Sequence, residues 1–473
     1  MERDDFLDAL AERLGERGLL READEMARYV ADWAGDRLGM PRAVARPAST
    51  EEVVETVRLC REHGVAMVPQ GGHSGLVGGA LPAAEGNELI VSLERMNRIR
   101  AIDPINFTMT VDAGCILENV KQAAAEHECE FPLALGAQGS CQIGGNIATN
   151  AGGLNVLRYG MMRQLVLGLE VVLPDGRLWN GLNALHKDNR GYALHQLFLG
   201  SEGTLGIVTG AVLKLSPRAN QARTALLGVP SLEAVIALYG LARRDCSDLL
   251  SAFELIPRRC IELAMEATPA LSDPLDQPYP WYVLMEISAS GPLDLTALLE
   301  HLLEQGMARE LVLDGALATS EAQSRQLWQF RESMLEGQRR RGEHLRTDIS
   351  VPISAIPAFF DAASRSVMEA SPDCEIIAYG HIGDGNLHFN ILPPPAMPEA
   401  DKREHLHALE ARLFDVLDEF NGSISAEHGI GRVKQPAYLA RLSPVERELA
   451  EGIKALFDPD GLMNPGRILP PRH

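Results

Sequence analysis

Between residues 136 and 153 the chain reads GAQGSCQIGGNIATNAGG, six glycines in eighteen positions. No packed core is built at that density, because glycine has no side chain to bury and loses the most freedom on folding. A backbone that must wrap a large, flat, polar ligand does use it. A related loop, Gln70-Gly71-Gly72-His73-Ser74-Gly75-Leu76-Val77-Gly78-Gly79, follows directly on the β-like run Val65-Ala66-Met67-Val68-Pro69. Strand then glycine loop presents backbone N–H groups to an anion, which suits a phosphate or pyrophosphate. The loop is neither GxGxxG opening a helix nor GxxxxGK[ST], so Rossmann and P-loop readings both fail. A third loop occupies Phe198 to Thr209.

The second constellation is Tyr379-Gly380-His381-Ile382-Gly383-Asp384-Gly385-Asn386-Leu387-His388-Phe389-Asn390. The Gly-Asp-Gly-Asn cluster breaks any helix, and the apolar runs 375–378 and 387–392 read as strands joined by a turn. His388 and Asn390 then share a strand face, and the turn returns His381 to the same place. Two neutral imidazoles on a rigid hairpin need a third, anionic ligand to make a divalent-metal site with an open position. Glu427, in Ser425-Ala426-Glu427-His428-Gly429-Ile430-Gly431, is the best candidate, with His428 beside it as an acid or base. Elsewhere, Leu327, Trp328 and Phe330 pack a helix from which Arg331 emerges, and a buried arginine wants a carboxylate or phosphate partner.

With 473 residues, two or three domains are expected. Lys and Arg number 44 against 65 Asp and Glu, a net charge of −21, so the chain repels phosphate backbones and nucleic acid is excluded as a partner. The cysteines (Cys60, Cys115, Cys129, Cys141, Cys246, Cys260, Cys374) are odd in number and hold no CxxC pair. That pattern fits reduced thiols and removes cysteine-held iron–sulfur clusters. Met1-Glu2-Arg3-Asp4-Asp5 opens an acidic amphipathic segment rather than a leader, and no run of eighteen apolar residues occurs, so no transmembrane segment is expected and a cytoplasmic protein is read. Residues 1–36 are taken as a helical surface appendage and 37–217 as the glycine-loop domain. From there the glycines thin out into alternating helices and strands, an α+β domain over 218–430, and 431–473 forms a C-terminal helical segment.

Five motifs in this order, PQGGHSGLVGG (69–79), GSCQIGGNIATNAGG (139–153), GSEGTLGIVT (200–209), YGHIGDGNLHFN (379–390) with SAEHGIG (425–431), and FDPDGLMNPGR (457–467), resemble the FAD-linked D-2-hydroxy-acid dehydrogenases of the vanillyl-alcohol-oxidase type. The resemblance runs from about residue 40 to the C-terminus. It implies an α+β fold: a PCMH-type FAD-binding domain of two α/β subdomains, a substrate (cap) domain, and a C-terminal segment returning to the flavin. FAD would lie against Gly71, Gly72, His73, Ser74 and Gly75 at its pyrophosphate and against Gly136, Ser140, Gly144, Gly145 and Asn146 along its length. Glu202, Gly203 and Ile207 would lie near the adenosine part and Asn464 near the flavin ring. His381, His388 and Glu427 fall on the family's metal ligands, zinc or manganese; His428 falls on its base, and Asn390 and Arg331 on substrate-binding positions. Three positions depart from the pattern. His73 replaces an Asn, and related flavoproteins carry covalent FAD on a histidine after two glycines. Leu335 stands where a hydroxyl is found and Arg346 where a Lys is found. Cys141 is read as a buried thiol rather than a flavin anchor.

The reaction so implied is oxidation of a D-2-hydroxy acid. The metal would lower the hydroxyl pKa, His428 would take the proton, and the α-hydrogen would leave as hydride to flavin N5. D-2-hydroxyglutarate is favoured, because an arginine facing a methyl-sized space would stay unpaired, with Arg346 as a second cationic contact; D-lactate or glycolate is the alternative. No second redox centre is encoded, so an external acceptor is expected, an electron-transfer flavoprotein or a quinone, and relatives imply a homodimer. A non-haem iron oxygenase would leave the glycine loops unemployed, and a non-catalytic flavin-fold subunit should have lost the metal ligands or the base, whereas this chain retains all four candidate residues.

Overall fold

The computed structural model describes residues 4–33, 35 and 37–471, so Met1, Glu2, Arg3, Ala34 and Asp36 of the expected N-terminal segment and Arg472 and His473 of the expected C-terminal one lie outside the described residues. The chain forms two compact units. One, the glycine-loop unit, comprises residues 1–153, 159–218 and 427–473; the other, the hairpin unit, comprises 154–158 and 219–426.

In the glycine-loop unit a four-stranded sheet has Leu89–Ser92 at its centre, paired in parallel with Ala43–Ala45 on one side and Met67–Gln70 on the other. Parallel strands need a crossover. Helix Thr50–Glu62 supplies it, started by Ser49, whose hydroxyl accepts from the Glu52 N–H, and bearing buried Val53, Val57 and Cys60 on one face. A five-stranded antiparallel sheet runs in the order Ile99–Asp103, Thr108–Asp112, Ile207–Lys214, Val166–Val172, Leu178–Gly181. Helix Leu117–Ala125 follows strand Thr108–Asp112. The N-terminal segment is not a surface appendage. Helix Asp5–Leu14 buries Phe6, Leu10 and Leu14 in the main core of this unit, and Leu19–Leu20 pairs with Ala43–Ala45. Its charged residues hid a three-residue apolar stripe that one face of a helix gathers into line.

In the hairpin unit an antiparallel sheet has the order Leu250–Pro257, Trp281–Ala289, Gln221–Val229, Asp314–Leu317. Helices Arg258–Ala267 and Glu321–Arg339 pack together in a core with Tyr282, Leu327 and Phe330. A second sheet holds the expected hairpin: Glu375–Tyr379 pairs antiparallel with Asn386–Leu392, which also pairs with Ile349–Ser350. Among the described residues no helix is long and apolar enough to cross a membrane, and all seven cysteines are unbridged and buried, Cys141 included.

Candidate active site

In the glycine-loop unit the three glycine loops converge on one cavity of about 330 Å³, within the range of small-molecule and cofactor pockets. Its walls include Gly71, Gly72, His73, Ser74 and Gly75 from the first loop, Gly136, Gly144, Gly145 and Asn146 from the second, and Glu202, Gly203 and Ile207 from the third. At Gly72 the first two loops approach so closely that no side chain fits: a Cβ there would lie 2.0 Å from the carbonyl oxygen of Ser140. Gln70 and Gln142 line the same cavity, and each has a buried side-chain oxygen with no hydrogen-bond partner among the described residues. Buried acceptors are rarely left so, and a bound polar ligand is what would satisfy them. His73 adopts a left-handed backbone (φ 58°) with its ring tilted against Tyr29 at 5.6 Å; burial lowers its pKa, partly opposed by a hydrogen bond to Ala31 backbone.

Two expected cofactor residues are placed elsewhere. Ser140 is exposed, its hydroxyl donating to the Ala137 carbonyl. Asn464 is buried outside the cavity lining, donating its amide to the carbonyls of Gly79 and Glu202 at 3.2 and 2.7 Å. It acts with Arg467, a fully buried residue that sequence reasoning missed, whose guanidinium reaches Gly79 O at 3.3 Å and the Glu88 carboxylate at 2.9 Å. Together these two tie the C-terminal segment to the first glycine loop.

The same cavity wall carries Glu427 and His428. Their loop is held by Glu202, whose two carboxylate oxygens accept from the N–H groups of Ile430 and Gly431, both at 2.7 Å. Burial pushes the Glu202 pKa up, and those two donors oppose the rise. Glu427 accepts from the Gly153 N–H at 3.0 Å. Glu202 therefore does more than face a ligand: it ties the third glycine loop to the loop that bears the candidate base.

In the hairpin unit, strand Leu250–Pro257 lies at a sheet edge. Its Leu255 exchanges two backbone hydrogen bonds with Gly380, at 2.9 and 3.2 Å. Gly380 has φ +153°, and a Cβ there would meet the Asn386 carbonyl at 2.6 Å, so only glycine admits this approach. Antiparallel pairing of 255 with 380 sets Glu254 beside His381. Glu254 Oε1 accepts from His381 Nδ1 at 2.6 Å, and Oε2 accepts from Arg331 Nε at 2.8 Å. Burial raises the Glu254 pKa, but the interactions with His381 and Arg331 more than offset that and hold it below the ordinary carboxylate value. His388 donates from Nδ1 towards the Thr347 carbonyl at 3.4 Å, and the His381 and His388 rings stand edge to face with centroids 5.7 Å apart.

Arg331 is thus paired within the chain, and its guanidinium lies 4.9 Å over the Tyr379 ring. Asn390 is buried with its amide committed, Oδ1 accepting from Thr347 N–H at 3.1 Å and Nδ2 donating to Gln338 at 2.7 Å. Arg346 is exposed. Among the described residues no three His, Cys, Asp or Glu side chains gather as a ready cation cage; His381 and His388 belong to the hairpin unit, Glu427 and His428 to the glycine-loop unit.

The family model for the FAD binding domain matches residues 41–181, and that for the C-terminal domain of FAD linked oxidases matches residues 218–468. The chain belongs to the FAD-linked oxidase family. It is an FAD-dependent oxidoreductase with a PCMH-type FAD-binding domain and a C-terminal domain of the α+β kind. D-2-hydroxyglutarate dehydrogenase of Xanthomonas citri pv. viticola is 40% identical over 95% of this chain and 94% of its own length. The mitochondrial D-2-hydroxyglutarate dehydrogenase of Bos taurus is 38% identical over 98% of this chain and 83% of its own, and the D-2-hydroxyglutarate–pyruvate transhydrogenase of Saccharomyces cerevisiae 36% over 94% and 90%. Among solved structures, p-cresol methylhydroxylase superposes with a TM-score of 0.76 at 17% identity, over 98% of this chain and 96% of that one, which shows the shared fold.

Proposed function

We propose that this protein oxidises a D-2-hydroxy acid, D-2-hydroxyglutarate foremost, to the 2-oxo acid, using FAD and a divalent cation, zinc or manganese, and passing electrons to an external acceptor such as an electron-transfer flavoprotein or a quinone. The observation that carries the reading is the placing of Glu427 and His428 in the wall of the glycine-built cavity. A carboxylate and an imidazole there stand next to the space that FAD fits. The names of the relatives support the hydroxyglutarate assignment. The unpaired-arginine reasoning no longer adds to it, because Glu254 already pairs with Arg331.

The donor chemistry of the hairpin fits a cation. Both histidines engage the protein through Nδ1, which puts the proton there and the lone pair at Nε2; a metal-binding histidine is held in this way. Two imidazoles on one ion, with metal–nitrogen distances of about 2 Å, have centroids roughly 5–6 Å apart, in keeping with the 5.7 Å found. When bound, FAD supplies the two-electron acceptor and the cation supplies Lewis acidity at the hydroxyl. His428 takes the proton from the hydroxyl oxygen of the substrate. Arg331, held by Glu254 through Nε, offers its Nη edge to a substrate carboxylate, and Arg346 is a second cation for the distal one. Asn390 supports these groups through Gln338 and Thr347.

The test is a screen of D-2-hydroxy acids with an artificial acceptor, before and after exhaustive chelation. Turnover of D-2-hydroxyglutarate above D-lactate, lost with chelator and restored by zinc or manganese, is expected. Undiminished turnover in metal-free protein would overturn the metal assignment, and inactivity on every D-2-hydroxy acid would overturn the whole reading.

A further inference from the structure

Glu254 belongs to Leu250–Pro257, a strand whose sequence carries no motif. Its side chain is 1% exposed. A buried carboxylate demands compensation for the water it has lost, and this one is compensated asymmetrically: one oxygen takes the Nδ1–H of His381, the other the Nε–H of Arg331. The two donors come from separate elements, a hairpin turn and helix Glu321–Arg339. Both are also groups for which the proposed reaction has a use. Nothing else among the described contacts fixes both directions at once.

We infer that Glu254 is a positioning residue that sets the coordinating nitrogen of His381 and the aim of the Arg331 guanidinium together, so that cation affinity and recognition of the substrate carboxylate depend on one buried side chain. This rests on the function proposed above. With the Nδ1 proton engaged by Glu254, His381 presents Nε2 in a fixed direction. With Nε engaged by Glu254, the guanidinium is held 4.9 Å over the Tyr379 ring. A merely structural ion pair would hold the strand, the turn and the helix together without affecting either property.

Glu254→Gln separates these cases. The amide keeps the volume but offers one acceptor oxygen where two donors converge, so one donor is displaced. Glu286→Gln is the control. Glu286, on the adjacent strand Trp281–Ala289, accepts from Thr224, Ser251 and Trp328 and touches neither His381 nor Arg331. On the full-length, FAD-loaded protein, chelator competition with Zn²⁺ is expected to show affinity reduced about ten- to a hundredfold in Glu254→Gln and unchanged in Glu286→Gln, with FAD content equal in both. KM for D-2-hydroxyglutarate should rise in Glu254→Gln. Imidazole nitrogen spectra of metal-free protein are expected to show His381 as the Nδ1–H tautomer in wild type and a mixture in Glu254→Gln. Wild-type Zn²⁺ affinity in Glu254→Gln, or an equal loss in both variants, would overturn the inference. A wild-type protein that binds neither Zn²⁺ nor Mn²⁺ would instead overturn the metal assignment; the tautomer spectra need no metal, and an Nε2–H His381 in wild type, or identical spectra in the two proteins, would still overturn the role of Glu254.

Discussion

In the glycine-loop unit the surface offered to a ligand is backbone, whereas in the hairpin unit it is side chains steered by other side chains. The cavity around Gly71, Gly144 and Gly203 depends on the absence of atoms, since a Cβ at Gly72 would run into the Ser140 carbonyl. The pair of histidines depends on the presence of partners: Glu254 behind His381, Thr347 behind His388. A surface made of backbone is set by which residues are missing locally. A surface made of steered side chains is set by contacts between residues distant in sequence, 127 positions apart for Glu254 and His381. The two surfaces should therefore fail independently.

The largest effect is expected from the hairpin. His381→Ala and His388→Ala should each abolish cation binding and lower turnover on the order of 10⁴-fold, the several kcal/mol that a Lewis acid contributes, while FAD content measured by absorbance stays at wild-type level. Loss of FAD in these variants would break the separation. His428→Asn lies in the other unit and should slow flavin bleaching in stopped flow by roughly two to four orders of magnitude with both FAD and cation retained. A wild-type bleaching rate would remove His428 as the base.

Gly72→Val reverses the pattern. The added carbons force the first two glycine loops apart, and overpacking of about 1–3 kcal/mol corresponds to roughly ten- to a hundredfold weaker FAD binding by titration of the apoprotein, with Zn²⁺ binding untouched. The smallest effect sharpens the comparison within the hairpin unit. Arg331→Ala should lower kcat/KM on D-2-hydroxyglutarate about tenfold, as expected for one lost charge-assisted contact, and on D-lactate by less. Equal losses on both substrates would place Arg331 at the carboxylate they share, or in support of Glu254 alone.

Local sequence was enough for everything built from consecutive residues. Six glycines in eighteen positions point to a backbone that meets a ligand, and twelve of the residues named from the three glycine loops do line one cavity. The turn Gly383-Asp384-Gly385-Asn386 specifies the hairpin, and the period of two along Asn386–Leu392 puts His388 and Asn390 on one face. What tertiary structure alone decided lies between distant segments. Phe6, Leu10 and Leu14 sit among enough charge to read as a surface helix, and only packing against the core shows them buried. Ser140 and Asn464 fall within legible motifs, but whether a side chain turns into the cavity or away from it depends on the Ala137, Gly79 and Glu202 carbonyls that compete for it. Arg331 announced its need for an anion without naming one. Glu254, in the unremarkable run Ser251-Ala252-Phe253-Glu254-Leu255, became its partner through the placing of helix Glu321–Arg339, and the partner of His381 because Leu255 pairs with Gly380; a register of that kind is fixed by the meeting of two strands and written in neither one.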